Sequence, residues 1–537
     1  MNLRICAVVF YSIHTMASLN AAILTVTSLA DSGAGSLRAQ VAASAAGDTI
    51  QFSVSGTIIL NSAISIGHTL FVQGPGPSAL VVDANHVDRA FIIGINSTNV
   101  LSGMTITNGY VVGAKGLDGG LGQDGTAGDS AYGGAILDQG NSIILSNCWL
   151  VANLTYGGQG GRGGDNLFGG IMTPGSGGDG GNGIGGAVYS SSKYVAVVNC
   201  TFSANRAVGG DGGDGGTNYN PATGVIGGAG GQAGVGQGGA IDVSAVPIAG
   251  FTDSTFSGNR VGGGLGGKGG DNVNGPGGHG GDGGAGGGGA ISTFKVSSFL
   301  SCTIVSNSAF GGIGGSGGNG TPVGAGGTSG SGTAGGVVGY VVTCNNPIAN
   351  TILADNLASS VDSNYFMAFR DDGYNFIGSD DFALCPWSAT TQVGTILLPL
   401  HPQLRPLAQN GGGLPTHATT LTSPATDAGF SFGLTTDERN APRPYDFSSI
   451  PNAAGGDGSD IGAFELGRPD LGLGKGSNNI LITWPASYGD FKLQSTTNVV
   501  LPNSWSSVTD SPAIVGSVLT VSNNPTGANR FYRLISP

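Results

Sequence analysis

A histidine and two pairs of adjacent carboxylates are the residues of this sequence with the most direct catalytic potential. His279 lies between two glycines, and the acidic pairs are Asp371-Asp372 and Asp380-Asp381. Carboxylic acids that flank a glycosidic bond can act as general acid, general base or nucleophile. A polysaccharide-active enzyme, either a lyase or a glycoside hydrolase, is therefore the alternative function that we carry forward.

Asp165 and Asp271 are candidate calcium ligands. Residues 160–168 read Gly-Gly-Arg-Gly-Gly-Asp-Asn-Leu-Phe, and residues 266–273 read Gly-Gly-Lys-Gly-Gly-Asp-Asn-Val. Both follow a Gly-Gly-x-Gly-x-Asp pattern, which binds Ca²⁺ when tandem copies stack in a β-helix. The two copies here are isolated, and the sequence predicts no other cofactor.

The C-terminal third carries the densest charges of a chain in which only 9% of the residues are charged. Two interpretations fit this cluster: a ligand or metal site, or an ion-pair network that fixes a terminal cap. We favour the second interpretation. The residues concerned are Asp427, Asp437, Arg439, Arg443, Asp460 and Glu465.

Composition and charge exclude some classes of function. The formal net charge is −13 and no Lys/Arg cluster is present, so nucleic acid is not an expected partner. Residues 1–22 have a basic start, an apolar run and small residues at the end, which predicts a cleaved secretory signal. After cleavage we expect no transmembrane segment, because no later apolar run reaches the ~20 residues that a spanning helix needs.

The elements that must position all these residues are repeats of about fifty residues. Gly-Gly-Ala or Gly-Gly-Val recurs at 133–135, 185–187, 238–240, 288–290 and 335–337. A second anchor recurs at the asparagines Asn153, Asn205, Asn259 and Asn307. Two anchors with one period predict a right-handed parallel β-helix, in which the asparagines stack as a ladder.

Cysteines follow the same repeats. Cys148, Cys200 and Cys302 occupy equivalent positions, which indicates small inward-facing residues rather than a metal site. Cys344 and Cys385 are outside this repeated position and can pair if the chain is exported.

A glycine-rich insertion separates each asparagine from the next Gly-Gly-Ala. Within insertion 262–289, the residues other than glycine fall mostly at every third position, as at Leu265, Lys268 and Asp271. Three residues per turn is the polyproline II period. The pattern predicts a hairpin of two extended, threefold arms in each insertion; flexible glycine loops are the alternative.

Three segments resemble known families. Val26-Thr27-Ser28, Ser36-Leu37-Arg38-Ala39 and Gly47-Asp48-Thr49-Ile50-Gln51-Phe52 resemble the CSLREA domain, typically found at the head of exported bacterial β-helix proteins. Gly-Gly-Ala-Ile paired with Phe-x-x-Asn resembles the repeats of polymorphic outer-membrane proteins, which implies surface exposure and an adhesive role. Residues 399–467, with Asp460-Ile461-Gly462-Ala463-Phe464-Glu465, resemble the choice-of-anchor Q domain of exported proteins.

The expected fold class is all-β, a parallel β-helix with Gly-rich insertions plus a small C-terminal β-sandwich similar to fibronectin-like modules. We expect a secreted or surface-displayed bacterial protein that is structural and adhesin-like rather than catalytic, with polysaccharide or cell-envelope components as partners. The predicted divisions are a signal peptide at 1–22, an N-terminal cap and first coils at 23–108, repeats at 109–357, a C-terminal end and cap at 358–467, and a β domain at 468–537.

Overall fold

A computed structural model describes residues 21–167, 172–220, 224–339, 343–360, 363–380, 384–476, 479–500, 504–516, 518–524 and 529–535. Most of the predicted signal peptide, residues 1–20, lies outside this part of the chain. No helix in the described ranges is long and apolar enough to cross a membrane.

One coil shows the plan of the β-helix. Strands Ala131–Tyr132, Ile136–Asp138, Ser142–Val151 and Leu154–Tyr156 follow one another, and an insertion then leads to Gly183. Each strand pairs in parallel with its equivalents in the neighbouring coils, so the chain builds four sheets as it winds. We call them the neck, corner, long and side sheets, in that order along a coil.

The strand bounds are as follows. The long sheet contains Ile23–Val26, Thr49–Phe52, Gly56–Ile59, Leu70–Gln73, Leu80–Asp83, Thr98–Thr107, Ser142–Val151, Tyr194–Val198, Thr201–Ser203, Ile248–Thr252, Thr255–Ser257, Val296–Leu300, Thr303–Val305, Asn346–Ala349, Ile352–Ala354, Phe369–Gly373, Phe376–Ile377 and Gln392–Val393. The corner sheet contains Ile64–Ile66, Phe91–Ile93, Ile136–Asp138, Val188–Ser190, Ile241–Asp242, Ile291–Ser292, Val337–Val338 and Tyr365–Phe366. The side sheet contains Tyr110–Val112, Leu154–Tyr156, Arg206–Val208, Arg260–Gly262, Ser308–Phe310 and Leu357–Ala358. The neck sheet contains Ala131–Tyr132, Gly183–Ile184, Gly236–Gln237, Gly286–Gly287 and Gly332–Thr333.

The core of the β-helix consists of stacked side chains from equivalent repeat positions. Phe202 is in register with Phe256, and their rings stack at 4.9 Å; Phe251 and Phe299 stack at 5.1 Å. A repeated apolar residue thus yields a continuous column, because parallel in-register strands place equal positions one above the other. The predicted right-handed parallel β-helix is confirmed.

A short helix covers the N-terminal end of the core. It spans Leu37–Ala43, and the side chain of its N-cap, Ser36, accepts the N–H of Ala39. Leu37 and Val41 face inward and pack in the core. The helix ends at residue 43, where the backbone N–H and the hydroxyl of Ser44 donate to the carbonyl of Val41.

The glycine-rich insertions form ordered arms, as the three-residue phase predicted. Gly157, Gly160 and Gly163 donate their N–H groups to Val208, Asp211 and Asp214 of the next coil. The glycine after each donor bonds to the second arm of the preceding coil, as Gly210 does to Gly181. The arms therefore form two hydrogen-bonded layers, which we call the glycine slab.

The slab explains why two of three residues are glycine. A Cβ on Gly267 would lie 2.0 Å from the carbonyl oxygen of Gly213 in the coil before it. Ala114 and Leu117, in the first coil of the slab, replace the glycines that face a preceding coil elsewhere. Val323 and Ser329 do the same where the last coil would face a following one.

Residues 401–467, within the segment 358–467 for which we predicted a C-terminal end and cap, form an extended segment that we call the strap. The strap lies along the outer face of the long sheet: Pro415 accepts a hydrogen bond from Thr201, and His417 contacts Ser257 at 2.7 Å. Farther along, Asn350 donates to the carbonyl of Asp460. The long sheet presents polar side chains outward there, so it offers hydrogen bonds to a covering segment. The strap contains one antiparallel pair of strands, Ala408–Gln409 and Pro415–Thr416.

The C-terminal unit consists of two small antiparallel sheets, as predicted. Trp484 is buried in its core, which also packs against Phe447 and Phe464 of the strap. Arg405 of the strap pairs with Asp490 at 2.9 Å. The elements are strands Gly472–Lys475, Ile480–Pro485, Ala513–Val515 and Val518–Asn523, strands Lys492–Thr496, Ser506–Ser507 and Phe531–Ile535, and a 3₁₀ turn Ala486–Tyr488.

Candidate functional site

The residues with catalytic potential lie on different elements. His279 is exposed on the second arm of a slab coil, whereas Asp371 is on the strand Phe369–Gly373 of the long sheet. Asp371 accepts hydrogen bonds from Gly373, Asn375, Ser388 and Thr391. No hydrogen bond or ion pair in the described part of the chain joins His279 to an acid. Asp371 is thus held by local structural contacts, and Asp381 lies outside the described residues.

Asp372 and Asp380 are engaged in the same way. Arg370 binds Asp372 through two N–H groups, at 2.9 and 2.8 Å. The indole of Trp387 donates to Asp380 at 2.5 Å. These contacts order the last coils.

The two candidate calcium ligands are on the first arms of the slab. Asp165 pairs with Arg162 at 2.5 Å and accepts the N–H of Thr217 at 2.8 Å. Asp271 pairs with Lys268 at 2.9 Å and accepts the N–H of Asn319 at 2.8 Å. Thr217 occupies the coil between them, so the two carboxylates do not stack on each other. Calcium binding at Asp165 and Asp271 stays a prediction.

The asparagines of the repeats form a buried ladder. The side-chain oxygen of Asn205 accepts both the N–H and the side-chain amide of Asn153, at 3.1 and 2.9 Å. The same pair of bonds joins Asn205 to Asn259, Asn259 to Asn307, and Asn307 to Asn356. Each coil is thereby tied to the next at the corner before the side sheet.

A second asparagine ladder lies at the tips of the slab arms. Asn166 donates to the side-chain oxygen of Asn218 at 2.8 Å, and Asn218 donates to that of Asn272 at 3.3 Å. Sequence reasoning missed it, although the three residues recur at the end of successive glycine phases.

The cysteines divide into a buried column and a bonded pair. Cys148, Cys200 and Cys302 are free and buried, and the sulfur of Cys200 accepts the N–H of Cys148. Cys344 and Cys385 form a disulfide, which closes a segment of the last coils.

The charged cluster of the C-terminal third lies between the strap and the long sheet. Arg443 is buried and binds Glu465 at 2.9 Å and Asp253 of the β-helix at 3.1 Å. Its Nη2 donates to the carbonyl of Gly462. Asp460 accepts N–H groups from Asp427 and Leu466. One guanidinium therefore joins two segments that are far apart in the sequence.

A second arginine holds the strap internally. Arg439 donates twice to Asp437, at 2.9 and 2.7 Å, and its guanidinium lies 3.7 Å from the ring centroid of Phe464. Both N–H groups reach the same carboxylate oxygen, Oδ2 of Asp437, and together with the stacked ring they fix the guanidinium plane. These contacts are those of the ion-pair network that we favoured.

Glu438 is the residue of this cluster that sequence reasoning missed. Its carboxylate is fully buried and accepts hydrogen bonds from Thr201 at 2.8 Å and from Thr255 at 2.5 Å. Thr201, Thr255 and Thr303 are in register on the outer face of the long sheet, and Thr303 accepts the N–H of Ala463. The signal was present as a threonine before the Phe or Ile of three repeats.

Carboxyl groups outnumber guanidinium groups in this buried cluster. Burial raises the pKa of Asp253 and of Glu465 to about 8, and that of Asp460 to about 6. Burial also raises the pKa of Glu438 well above its ordinary value. Asp253 and Glu465 share one guanidinium, that of Arg443, so the pairing does not offset the desolvation of both, and burial favours the protonated form of these carboxyl groups.

The cluster is closed to solvent, and its hydrogen bonds and ion pairs hold the strap against the long sheet; we call this cluster the clamp. Within the described ranges, no group of three or more His, Cys, Asp and Glu side chains is arranged to hold a metal ion. A cleft of about 470 Å³ lies outside the cluster, between the strap and the C-terminal unit. Arg439 lines it but is already paired with Asp437, and Arg468, also on its wall, donates to Tyr445.

Comparisons with known proteins do not assign the chain. No family model matches the sequence, and no curated protein matches it. Among solved structures, tailspike protein 3 of bacteriophage CBA120 aligns over 72% of this chain and 64% of the tailspike chain, less than two thirds of its length. The identity is 12% and the TM-score is 0.14, so this likeness carries no argument about function.

Proposed function

We propose that the protein is exported by bacteria and displayed at the cell surface as a non-catalytic, adhesin-like scaffold. The observation that carries the proposal is the continuity of its stack. Successive coils are joined by strand pairing, by the ladder from Asn153 to Asn356, and by the glycine slab beside them. Such a stack is stiff, and few of its backbone groups are free for a protease to engage.

The disulfide Cys344–Cys385 supports export, because disulfides persist mainly in oxidising compartments. The predicted signal at 1–22 and the resemblances to CSLREA, choice-of-anchor Q and polymorphic outer-membrane proteins point the same way. The partner would be a polysaccharide or another component of a cell envelope.

Expression of the full chain in a bacterial host, with fractionation and mass spectrometry, tests this function. We expect the chain outside the cytoplasm, with an N-terminus near residue 23 and a core that resists protease added to intact cells. Retention in the cytoplasm with residues 1–22 intact would refute export.

An activity screen tests the enzyme alternative. The mature chain is incubated with pectin and alginate, and reducing ends and unsaturated products are measured. We expect neither product. Cleavage that Asp371→Asn abolishes, while Asp282→Asn in the slab leaves it intact, would replace the scaffold function with catalysis.

A further inference from the structure

The outer face of the side sheet carries exposed side chains, among them Tyr110, Arg206 and Arg260, and no hydrogen bond or ion pair between described residues joins this face to the strap. In four of its strands the middle residue is fully buried; these residues are Thr155, Ala207, Val261 and Ala309. Alternation along a strand then turns the first and third residues outward. The outward residues that matter here are Tyr110, Tyr156, Arg206, Arg260 and Phe310, and we call this set the arginine strip.

Two arginines lie side by side at the centre of the strip. Arg206 and Arg260 are in register on neighbouring parallel strands, so their backbones are about 4.8 Å apart. Both are exposed. Among the described residues, neither side chain forms a salt bridge or a hydrogen bond with a carboxylate, although the chain carries thirteen more negative than positive charges. Arg206 is exposed but partly desolvated by its neighbours, and this partial desolvation and the charge of Arg260 both lower its pKa.

The cations of the adjoining glycine slab contrast with this pair. Lys115, Arg162 and Lys268 each pair with an aspartate three residues later, one full turn along the arm. Asp211 is the first acid that follows the strand of Arg206 in the sequence, and its carboxylate accepts the N–H of Leu265. Like charges left adjacent and unpaired are unfavourable, and an anion between them relieves the repulsion.

Aromatic rings flank the two guanidinium groups. Arg260 lies 4.8 Å from the ring centroid of Phe310 on the next strand. Tyr156, on the strand before Arg206, is half-buried, and Tyr110 beyond it is exposed. Rings of this kind offer an apolar face with a polar tip, which suits the C–H face and the hydroxyls of a sugar.

We propose that the arginine strip binds an acidic polysaccharide, with Arg206 and Arg260 holding a carboxylate or sulfate group and the flanking rings holding sugar faces. The proposal rests on the adhesin-like role and gives it a ligand class. A duplex nucleic acid does not fit, because its affinity depends on many phosphate contacts, whereas this surface offers two cations and flanking rings, which match one acidic group and the sugar faces beside it.

The test is binding of the mature full-length chain to immobilised polygalacturonate, chondroitin sulfate and uncharged dextran at low ionic strength. We expect retention on at least one acidic glycan, none on dextran, and weakening with added salt because the contact is charge-assisted. Chondroitin sulfate carries carboxylates as well as sulfates, so binding to it that is lost after chemical desulfation indicates a sulfate ligand, whereas binding to polygalacturonate or to desulfated chondroitin indicates a carboxylate. We expect Arg206→Ala/Arg260→Ala to weaken binding at least tenfold and Arg206→Lys/Arg260→Lys to retain part of it.

Arg162→Ala is the matched control, because Arg162 is an exposed arginine that is already paired with Asp165. Binding should not change in this variant, and unfolding temperatures verify that all the variants are folded. Absence of binding to both acidic glycans, equal binding to dextran, or undiminished binding by Arg206→Ala/Arg260→Ala would overturn the proposal. None of these binding results bears on where the protein is located, because export and surface display are tested separately by fractionation and protease treatment of intact cells.

Discussion

At the scale of single residues, a side-chain oxygen in one coil repeatedly accepts the backbone N–H of the coil before it. Asn205 does this for Asn153, Ser254 for Cys200, and Thr351 for Cys302. On the slab, where the order is reversed, Asp214 accepts the N–H of Lys268 in the following coil. Each bond satisfies a donor that strand pairing leaves free, and an unsatisfied buried donor costs about 1–3 kcal/mol.

The buried carboxyl groups under the strap predict that stability falls as the pH rises. Ordinary pKa values are 3.8 for Asp253 and 4.5 for Glu438, and folding raises both. A raised pKa means that the folded state holds the proton more tightly, so its stabilising contribution is full at low pH and is lost as the pH passes the folded value. With Asp253 and Glu465 at about 8, the loss extends from about pH 4 to pH 8. Calorimetry between pH 5 and 9 should show a falling unfolding temperature.

Glu438→Gln identifies one source of that slope. Glutamine stays neutral and still accepts a hydrogen bond from Thr201 or Thr255, so the variant should lose part of the pH dependence. Asp282→Asn is the control, since backbone and side-chain hydrogen bonds from Thr328 lower the pKa of Asp282, which lies outside the cluster. An unfolding temperature that rises with pH, or a slope that Glu438→Gln leaves unchanged, would contradict this account.

At the scale of elements, the packing of the glycine slab predicts that one glycine-to-alanine substitution destabilises the protein and that a similar one at the slab edge does not. In Gly267→Ala the new methyl group would lie 2.0 Å from the Gly213 carbonyl oxygen, so the layers must separate. Overpacking of this kind costs about 1–3 kcal/mol. The matched control is Gly326→Ala at the open edge, where the nearest atom is 3.4 Å away. Hydrogen exchange should speed up around Gly213 and Gly267 in the first variant only; equal protection in both would argue against close-packed layers.

The elements that could be predicted from the sequence are those with a repeated signal. Asn153, Asn205, Asn259 and Asn307 recur with the repeat, and a ladder follows from parallel stacking. The three-residue phase beside Leu265 likewise predicted the arms. Repetition makes such predictions secure, because the same residue recurs at the same position of each coil and adopts the same local structure there.

The strap could not be placed from the sequence because its partners have no counterpart in a repeat. Glu438 meets Thr201 and Thr255 across more than 180 residues, and no local pattern encodes such a pairing. The local density of charged residues predicted an ion-pair network but not its partner in the β-helix, Asp253. The residues of that predicted network are Asp427, Asp437, Arg439, Arg443, Asp460 and Glu465. The pair Arg206 and Arg260 was not predicted for a similar reason, because the two residues become neighbours only when their strands pair in register.

At the scale of the whole molecule, the strap links coils that a simple repeat array would leave as independent neighbours. Repeat proteins are stabilised mainly between adjacent units, so their ends can unfold separately. Here Asn440 of the strap contacts Asn199 of an early coil, whereas Asp460 contacts Asn350 near the far end. Glu438 and Arg443 bind between these points. We therefore expect the coils beneath the strap to unfold as one unit.

The four tryptophans of the chain allow this to be measured. Trp149 lies in the coil that begins at Ala131 and donates to Ser203, and Trp387 lies near the last strands. Two variants are compared, one with Trp149 and one with Trp387 as its single tryptophan. The urea midpoints of their fluorescence should be the same, because the strap spans both regions. Glu438→Lys buries an unpaired cation under the strap, so the midpoints should separate, with Trp387 changing at lower urea. Different midpoints with an intact strap would mean that the coils unfold in steps and that the clamp is local; coincident midpoints in Glu438→Lys would place the coupling in the strand ladders and the glycine slab instead.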